Sequence, residues 1–191
     1  MNPRTLLDIL SVAENLKNQT RHSYTSSGRQ ESVAEHSWRM AFAACFLADE
    51  FLEADLTKVI KMCLFHDIGE SFTGDIPCFE KNETHEQTEQ QCLTAWLATL
   101  PSPYREEYQA LFDEMEQCQT LEAKLYKALD KLEAVDQHNH ADLSTWIPLE
   151  YDLQLTHGEK QVAFSPYLKS LKSEINTDTL KKIKNIDLPQ K

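Results

Sequence analysis

Four glycines, at positions 28, 69, 74 and 158, are all that punctuate this chain of 191 residues. Tight hairpins and dinucleotide-binding loops depend on glycine, which adopts positive φ without steric cost. Sheet-rich sandwiches and Rossmann-type folds are therefore disfavoured, and a helical domain leads. A hydrophobic share of 41% is enough to build a core and excludes a disordered chain. The length fits one domain, residues 1–191.

Hydrophobic periodicity supports the helical reading. Asn2 and Pro3 are a cap and a first-position proline for a helix ending near Lys17, with Leu6, Ile9, Leu10, Ala13 and Leu16 recurring on one face. Residues 18–31 are polar and read as a long loop. Ser32-Val33-Ala34-Glu35 fits a capping box opening a second helix that runs to about Phe51. A third spans about Leu56 to Ile68, with Gly69 as its stop, and 70–81 reads as an ordered loop. Further helices are expected over about Glu83–Leu100, from Ser102-Pro103, over about Leu121–His138, and from Ser165-Pro166. Residues 141–164 read as irregular or partly helical, and the tail from Asn176 as a short lysine-rich helix or frayed end. No segment alternates with period two, so the expected class is all-α, a single helical bundle with 141–191 as a C-terminal helical extension.

Charge and cysteines bound the setting. Nineteen basic against 31 acidic residues leave a net charge of −12, which repels duplex nucleic acid and anionic membrane. A small anion held by a metal or a local basic group remains compatible with it. The longest apolar run, Met40 to Ala48, is far shorter than the ~18 residues of a membrane span. No signal-peptide core is expected at the N-terminus, which Asp8 and Glu14 interrupt. Five cysteines, an odd number without a CxxC pair, read as reduced thiols of a cytoplasmic protein.

His66-Asp67 closes a strongly apolar helix, where a carboxylate must be paired or bound to a cation. Taken alone, the dipeptide reads first as a solvated helix end. Two further residues shift that balance. His36 lies in the first turn of the second helix, and Asp130 lies at the core margin of the sixth. Two imidazoles and two carboxylates from three helices suit Mn²⁺, Co²⁺, Fe²⁺, Zn²⁺ or Mg²⁺ better than a cysteine-type structural zinc site. His138-Asn139-His140 reads as a solvated helix end, although with His85 and His157 it raises a second metal site as an alternative. Trp38, Trp96 and Trp146 read as core or interface residues.

Ser32-Val33-Ala34-Glu35-His36-Ser37, Phe65-His66-Asp67 and Leu129-Asp130-Lys131-Leu132-Glu133 together resemble the H…HD…D signature of the HD-domain metal-dependent phosphohydrolases. His66-Asp67-Ile68-Gly69-Glu70 followed by Thr73-Gly74-Asp75-Ile76-Pro77 is most similar to the 5′-deoxynucleotidase branch, which acts on nucleoside monophosphates. The resemblance covers about Leu6 to Gln137.

It implies that His36, His66, Asp67 and Asp130 hold one divalent metal, that Glu70 orients or deprotonates water, and that Asp75 lies near the leaving oxygen or the sugar. Arg21 sits where the branch places a phosphate-binding arginine. The bacterial members carry tryptophan directly after it, where this chain has His22. Related members have Arg-Thr-Gly-Trp, which puts Tyr24 of Arg21-His22-Ser23-Tyr24 at the aromatic position that recognises the sugar. A homodimer is implied as well. The alternatives are hydrolysis of another small phosphate ester or a nucleotide diphosphate, and a non-catalytic metal or nucleotide sensor.

Overall fold

The computed structural model describes residues 1–184. Ten α-helices and one hairpin follow in the order α1 (Pro3–Asn15), β1 (Thr20–Tyr24), β2 (Gln30–Ser32), α2 (Val33–Ala44), α3 (Leu56–Phe65), α4 (Glu70–Thr73), α5 (Glu83–Leu97), α6 (Tyr104–Gln117), α7 (Leu121–His140), α8 (Glu150–Thr156), α9 (Glu159–Val162) and α10 (Pro166–Lys184), with a 3₁₀ turn at Leu143–Thr145. The predominantly helical class is as expected.

The helix starts follow from local chemistry. Asn2 accepts from the Arg4 amide ahead of Pro3. The Ser32 hydroxyl accepts from the Glu35 amide while the Glu35 carboxylate accepts from the Ser32 amide, completing the capping box. The side chains of Asp55, Asn82 and Thr120 cap α3, α5 and α7 by accepting from the amides of Lys58, His85 and Ala123.

Four segments depart from the sequence reading. The 18–31 loop contains an antiparallel hairpin with Thr20 opposite Ser32 and Tyr24 opposite Gln30. Its strands are short, polar and broken by an irregularity, so no period-two pattern marked them. The second helix stops at Ala44 rather than Phe51. The third stops at Phe65, and Gly69 keeps right-handed φ because it leads into the new helix α4 rather than ending α3. α10 continues through Asn176 to Lys184; the end of the expected lysine-rich tail lies outside the described residues.

α7 is the central element. α3, α2, β1, α9 and α10 all pack on it. One contiguous core runs from Leu16 to Ile175. Met40, Met62, Val59 and Leu125 are fully enclosed, and burial of such a side chain contributes about 1.5–3 kcal/mol. α1 differs from expectation: Ile9 and Val12 touch the core, whereas Leu6 and Leu10 are about half exposed.

Because Ser32 starts the helix that carries His36, Ser32→Ala is expected to cost about 1 kcal/mol, a Tm drop of roughly 2–4 °C. Glu35 adds a pH dependence. Its hydrogen bond to Arg29, with those to Ser32, outweighs burial and lowers its pKa from 4.5 to about 2. A depressed carboxylate stabilises above its unfolded pKa, so this contribution is present above about pH 4.5 and fades as pH falls toward 2. Thermal melts of wild type and Ser32→Ala across that window check both statements.

Candidate active site

His36 enters the core from the first turn of α2 and is fully buried. His66 caps the C-terminus of α3, and Asp67 follows it. The His36 and His66 rings lie 5.3 Å apart. His66 Nε2 is 3.0 Å from Asp67 Oδ2, and His36 Nε2 is 3.9 Å from the same oxygen. From α7, Asp130 places Oδ1 3.5 Å from His36 Nε2. All four expected ligands therefore converge, from helices brought together around α7.

Two features fit this cluster to a divalent cation. Nε2 of both His36 and His66 is buried without a hydrogen-bond partner. The opposite ring nitrogens are engaged: His66 Nδ1 by the Cys63 carbonyl at 2.9 Å, and His36 Nδ1 by the Glu133 carboxylate. That arrangement fixes each ring with Nε2 facing the carboxylates, as outer partners do around metal-binding imidazoles. The field is also favourable. Burial and Arg21 lower the His36 pKa, but Glu133 and Asp130 outweigh them and raise it to about 9, the mark of a site that attracts positive charge. Burial would raise Asp67, yet His66 and His36 hold it below its ordinary value. Asp130, also buried, is brought well below by Lys131 and Lys127, which lie 3.0 and 3.2 Å from its Oδ2.

The cluster opens into a cleft of about 210 Å³, lined by Arg21, His22, Asp67, Glu70, Asp75 and Asp130 among others. Glu70 lies in α4, buried, with Oε2 unpartnered. Burial, reinforced by Asp67 and Asp75, pushes its pKa up to about 10. Asp75 follows Gly74, whose φ of 80° turns the chain there at a conformation costly for other residues; its pKa is raised by burial against the pull of Arg21. Arg21 points Nη1 toward Asp67 Oδ2 at 3.7 Å and Nε toward Glu31 at 3.3 Å. Burial works against its charge, and Asp67, Asp75, Glu133 and Glu31 outweigh that and hold it on. Tyr24 is not among the cleft residues; its backbone carbonyl accepts from Gln137 instead.

Several site residues escaped the sequence reading. Glu133 orients His36 and is itself held by Arg39 at 3.0 Å. One turn beyond Asp130 on the same helix face, it was within reach of helical spacing. Glu31 of β2 is buried, its carboxyl raised to about 7 by burial and by Glu133. His138, expected in solvent, faces the cleft and pairs with Glu150. Of the tryptophans, Trp96 and Trp146 are buried and Trp38 is 61% exposed.

The HD-domain family profile matches residues 13–172. The chain belongs to the HD-domain phosphohydrolase family. Its curated relatives include the 5′-deoxynucleotidase HDDC2 of Dictyostelium discoideum, 31% identical over 187 residues, 90% of this chain and 97% of that one. The human 5′-deoxynucleotidase HDDC2 is 33% identical over 139 residues, 70% of this chain and 67% of its own. A predicted metal-dependent phosphohydrolase from Magnetospirillum magnetotacticum superposes with a TM-score of 0.77 at 26% identity, covering 93% of this chain and 92% of that structure. The cleft, lined by residues from Arg21 to His157, thus lies wholly within the matched region.

Proposed function

We propose that this HD-domain protein releases phosphate from deoxynucleoside 5′-monophosphates, using one divalent metal held by His36, His66, Asp67 and Asp130. The observation that carries the reading is the convergence of two unpartnered imidazole nitrogens and two carboxylates at a cleft that also presents Arg21. The 5′-deoxynucleotidase relatives support the substrate class. The metal would supply Lewis acidity at a phosphoryl oxygen and activate water. The other steps belong to side chains. The Arg21 guanidinium matches the geometry of two phosphate oxygens and binds them. Glu70, ionised once a bound cation opposes the burial and the neighbouring carboxylates that raise its pKa, would take the proton of the attacking water, with Asp75 on the leaving-oxygen side.

His22 lines the cleft and Tyr24 does not, which supports reading His22 as the sugar-facing residue, with the Phe79 ring edge-on to it at 5.5 Å. Imidazole is smaller than indole and hydrogen-bonds, so it tolerates a 2′-hydroxyl. The 5′-deoxynucleotidase relatives favour a preference for deoxyribonucleotides, and His22 is expected to limit the discrimination to about 1–3 kcal/mol. Measuring kcat/KM for dAMP and AMP with Mn²⁺ or Co²⁺ tests this. A ratio above one that changes in His22→Ala and not in Tyr24→Ala supports it. Preference for AMP overturns the deoxy assignment, and no phosphate release from any monophosphate overturns the function.

The chain is further read as one domain, as cytoplasmic, and as a homodimer. For the location, the described cysteines are free thiols, and no described helix is long and apolar enough to cross a membrane. For the dimer, Trp38 and Phe42 on α2 and Phe46 just past its end form an exposed aromatic ridge, with ring spacings of 5.6 and 5.1 Å. Such a ridge is costly to leave in water. Light scattering is expected to give about twice 22.0 kDa, and Phe42→Asp is expected to give the monomer. A wild-type monomer at micromolar concentration contradicts the reading.

A further inference from the structure

A second group of ligating side chains lines the same cleft, and two of its three members, His138 and Glu150, take no part in the chemistry above. His22 of β1, His138 of α7 and Glu150 of α8 bring Nε2, Nε2 and Oε1 within 4.8 Å of one another. We propose that these three residues form a second divalent-cation site.

The construction repeats that of the first cluster. His138 Nδ1 is 3.1 Å from the Ala134 carbonyl, which fixes the ring and turns Nε2 toward Glu150 Oε1 at 2.7 Å. His66 is held in the same manner by the Cys63 carbonyl. Ser23 Oγ lies 3.2 Å from the same His138 nitrogen and steadies it further. The other oxygen of Glu150 accepts from the Ile147 amide at 2.8 Å, so Oε1 alone is left for the site. His22 Nε2 stands 3.1 Å from that oxygen and, like Nε2 of His36 and His66, is buried without a hydrogen-bond partner. Outer partners thus orient two ring nitrogens and one carboxylate oxygen toward a common point.

The surroundings suit a bound ion. Glu150 is buried, and the rings of Phe79 and Trp146 stand edge-on to His22 and His138 at 5.5 and 5.7 Å. Two neutral imidazoles and one carboxylate match a borderline divalent ion such as Zn²⁺ or Co²⁺, with three protein ligands and one open position. All three residues line the cleft, so water or a ligand hydroxyl completes the coordination. A simple His138–Glu150 pair accounts for the 2.7 Å contact but leaves the His22 nitrogen, 3.1 Å from the same oxygen, without a hydrogen bond.

This assignment does not depend on the hydrolytic reading, and its test needs only metal. Chelator-stripped protein is titrated with Co²⁺, following bound metal by elemental analysis and its visible d–d absorption. Wild type is expected to bind two equivalents. Asp67→Ala keeps one, with the spectrum of an imidazole-ligated Co²⁺. His138→Gln and Glu150→Gln each bind one. His22→Gln, on the hairpin outside the core, is expected to weaken the second equivalent at least 10-fold, in line with the loss of one ligand; circular dichroism confirms that each variant is folded. One equivalent in wild type, none in Asp67→Ala, or two in folded His138→Gln and Glu150→Gln would each overturn the proposal.

Discussion

Asp67→Ala is expected to lose one equivalent of bound divalent metal together with all measurable phosphate release. Asp67 is the carboxylate to which both imidazole nitrogens turn, with His66 Nε2 at 3.0 Å and His36 Nε2 at 3.9 Å. It also faces Arg21, the proposed phosphate-binding group, at 3.7 Å. Removing it takes away a charged ligand and leaves Arg21 with one counter-charge fewer. Affinity for a divalent ion depends steeply on such a ligand, and rate falls with metal occupancy. Elemental analysis alongside a phosphate-release assay reads both effects. Unchanged stoichiometry in the variant would show that the metal is held elsewhere.

Glu70→Ala separates binding from turnover. Glu70 lies outside the four-residue cluster, in the next helix, with one carboxyl oxygen buried and unpartnered. The variant is expected to keep its metal and to lose turnover by about 10²-fold or more, the usual contribution of a positioned proton-transfer group. KM should change far less than kcat, because the phosphate grip from Arg21 is intact. A near wild-type kcat would make Glu70 a structural carboxylate and shift the base role to Asp75.

The helices and the residues of the His–Asp cluster were legible because both rest on short-range chemistry. Asn2, Ser32 and Glu35 act within one turn of themselves, and the capping box formed as its residues dictate. His36, His66, Asp67 and Asp130 stand in runs whose order matches a known signature. What the sequence concealed is set by tertiary packing. The hairpin at 20–32 is held by Arg21 meeting buried Glu31 and by Gln137 donating to the Tyr24 carbonyl, contacts with no periodic signal. Its twist turns His22 into the cleft and leaves Tyr24 out. His138 sits at the end of a helix and Glu150 twelve residues on, in a stretch with weak periodicity. Only the return of α8 against α7 and the hairpin brings them together. The half-exposed leucines of α1 show the converse, since an apolar stripe reports a face to be covered and not what covers it.

The central claim, that this chain is a metal-dependent phosphomonoesterase, is tested most directly by phosphate release from dAMP before and after metal removal. Protein stripped with a chelator and freed of it is predicted to release no phosphate, and to recover full activity when Mn²⁺ or Co²⁺ is restored. Activity that survives stripping, or phosphate release that no divalent metal supports, would contradict the account.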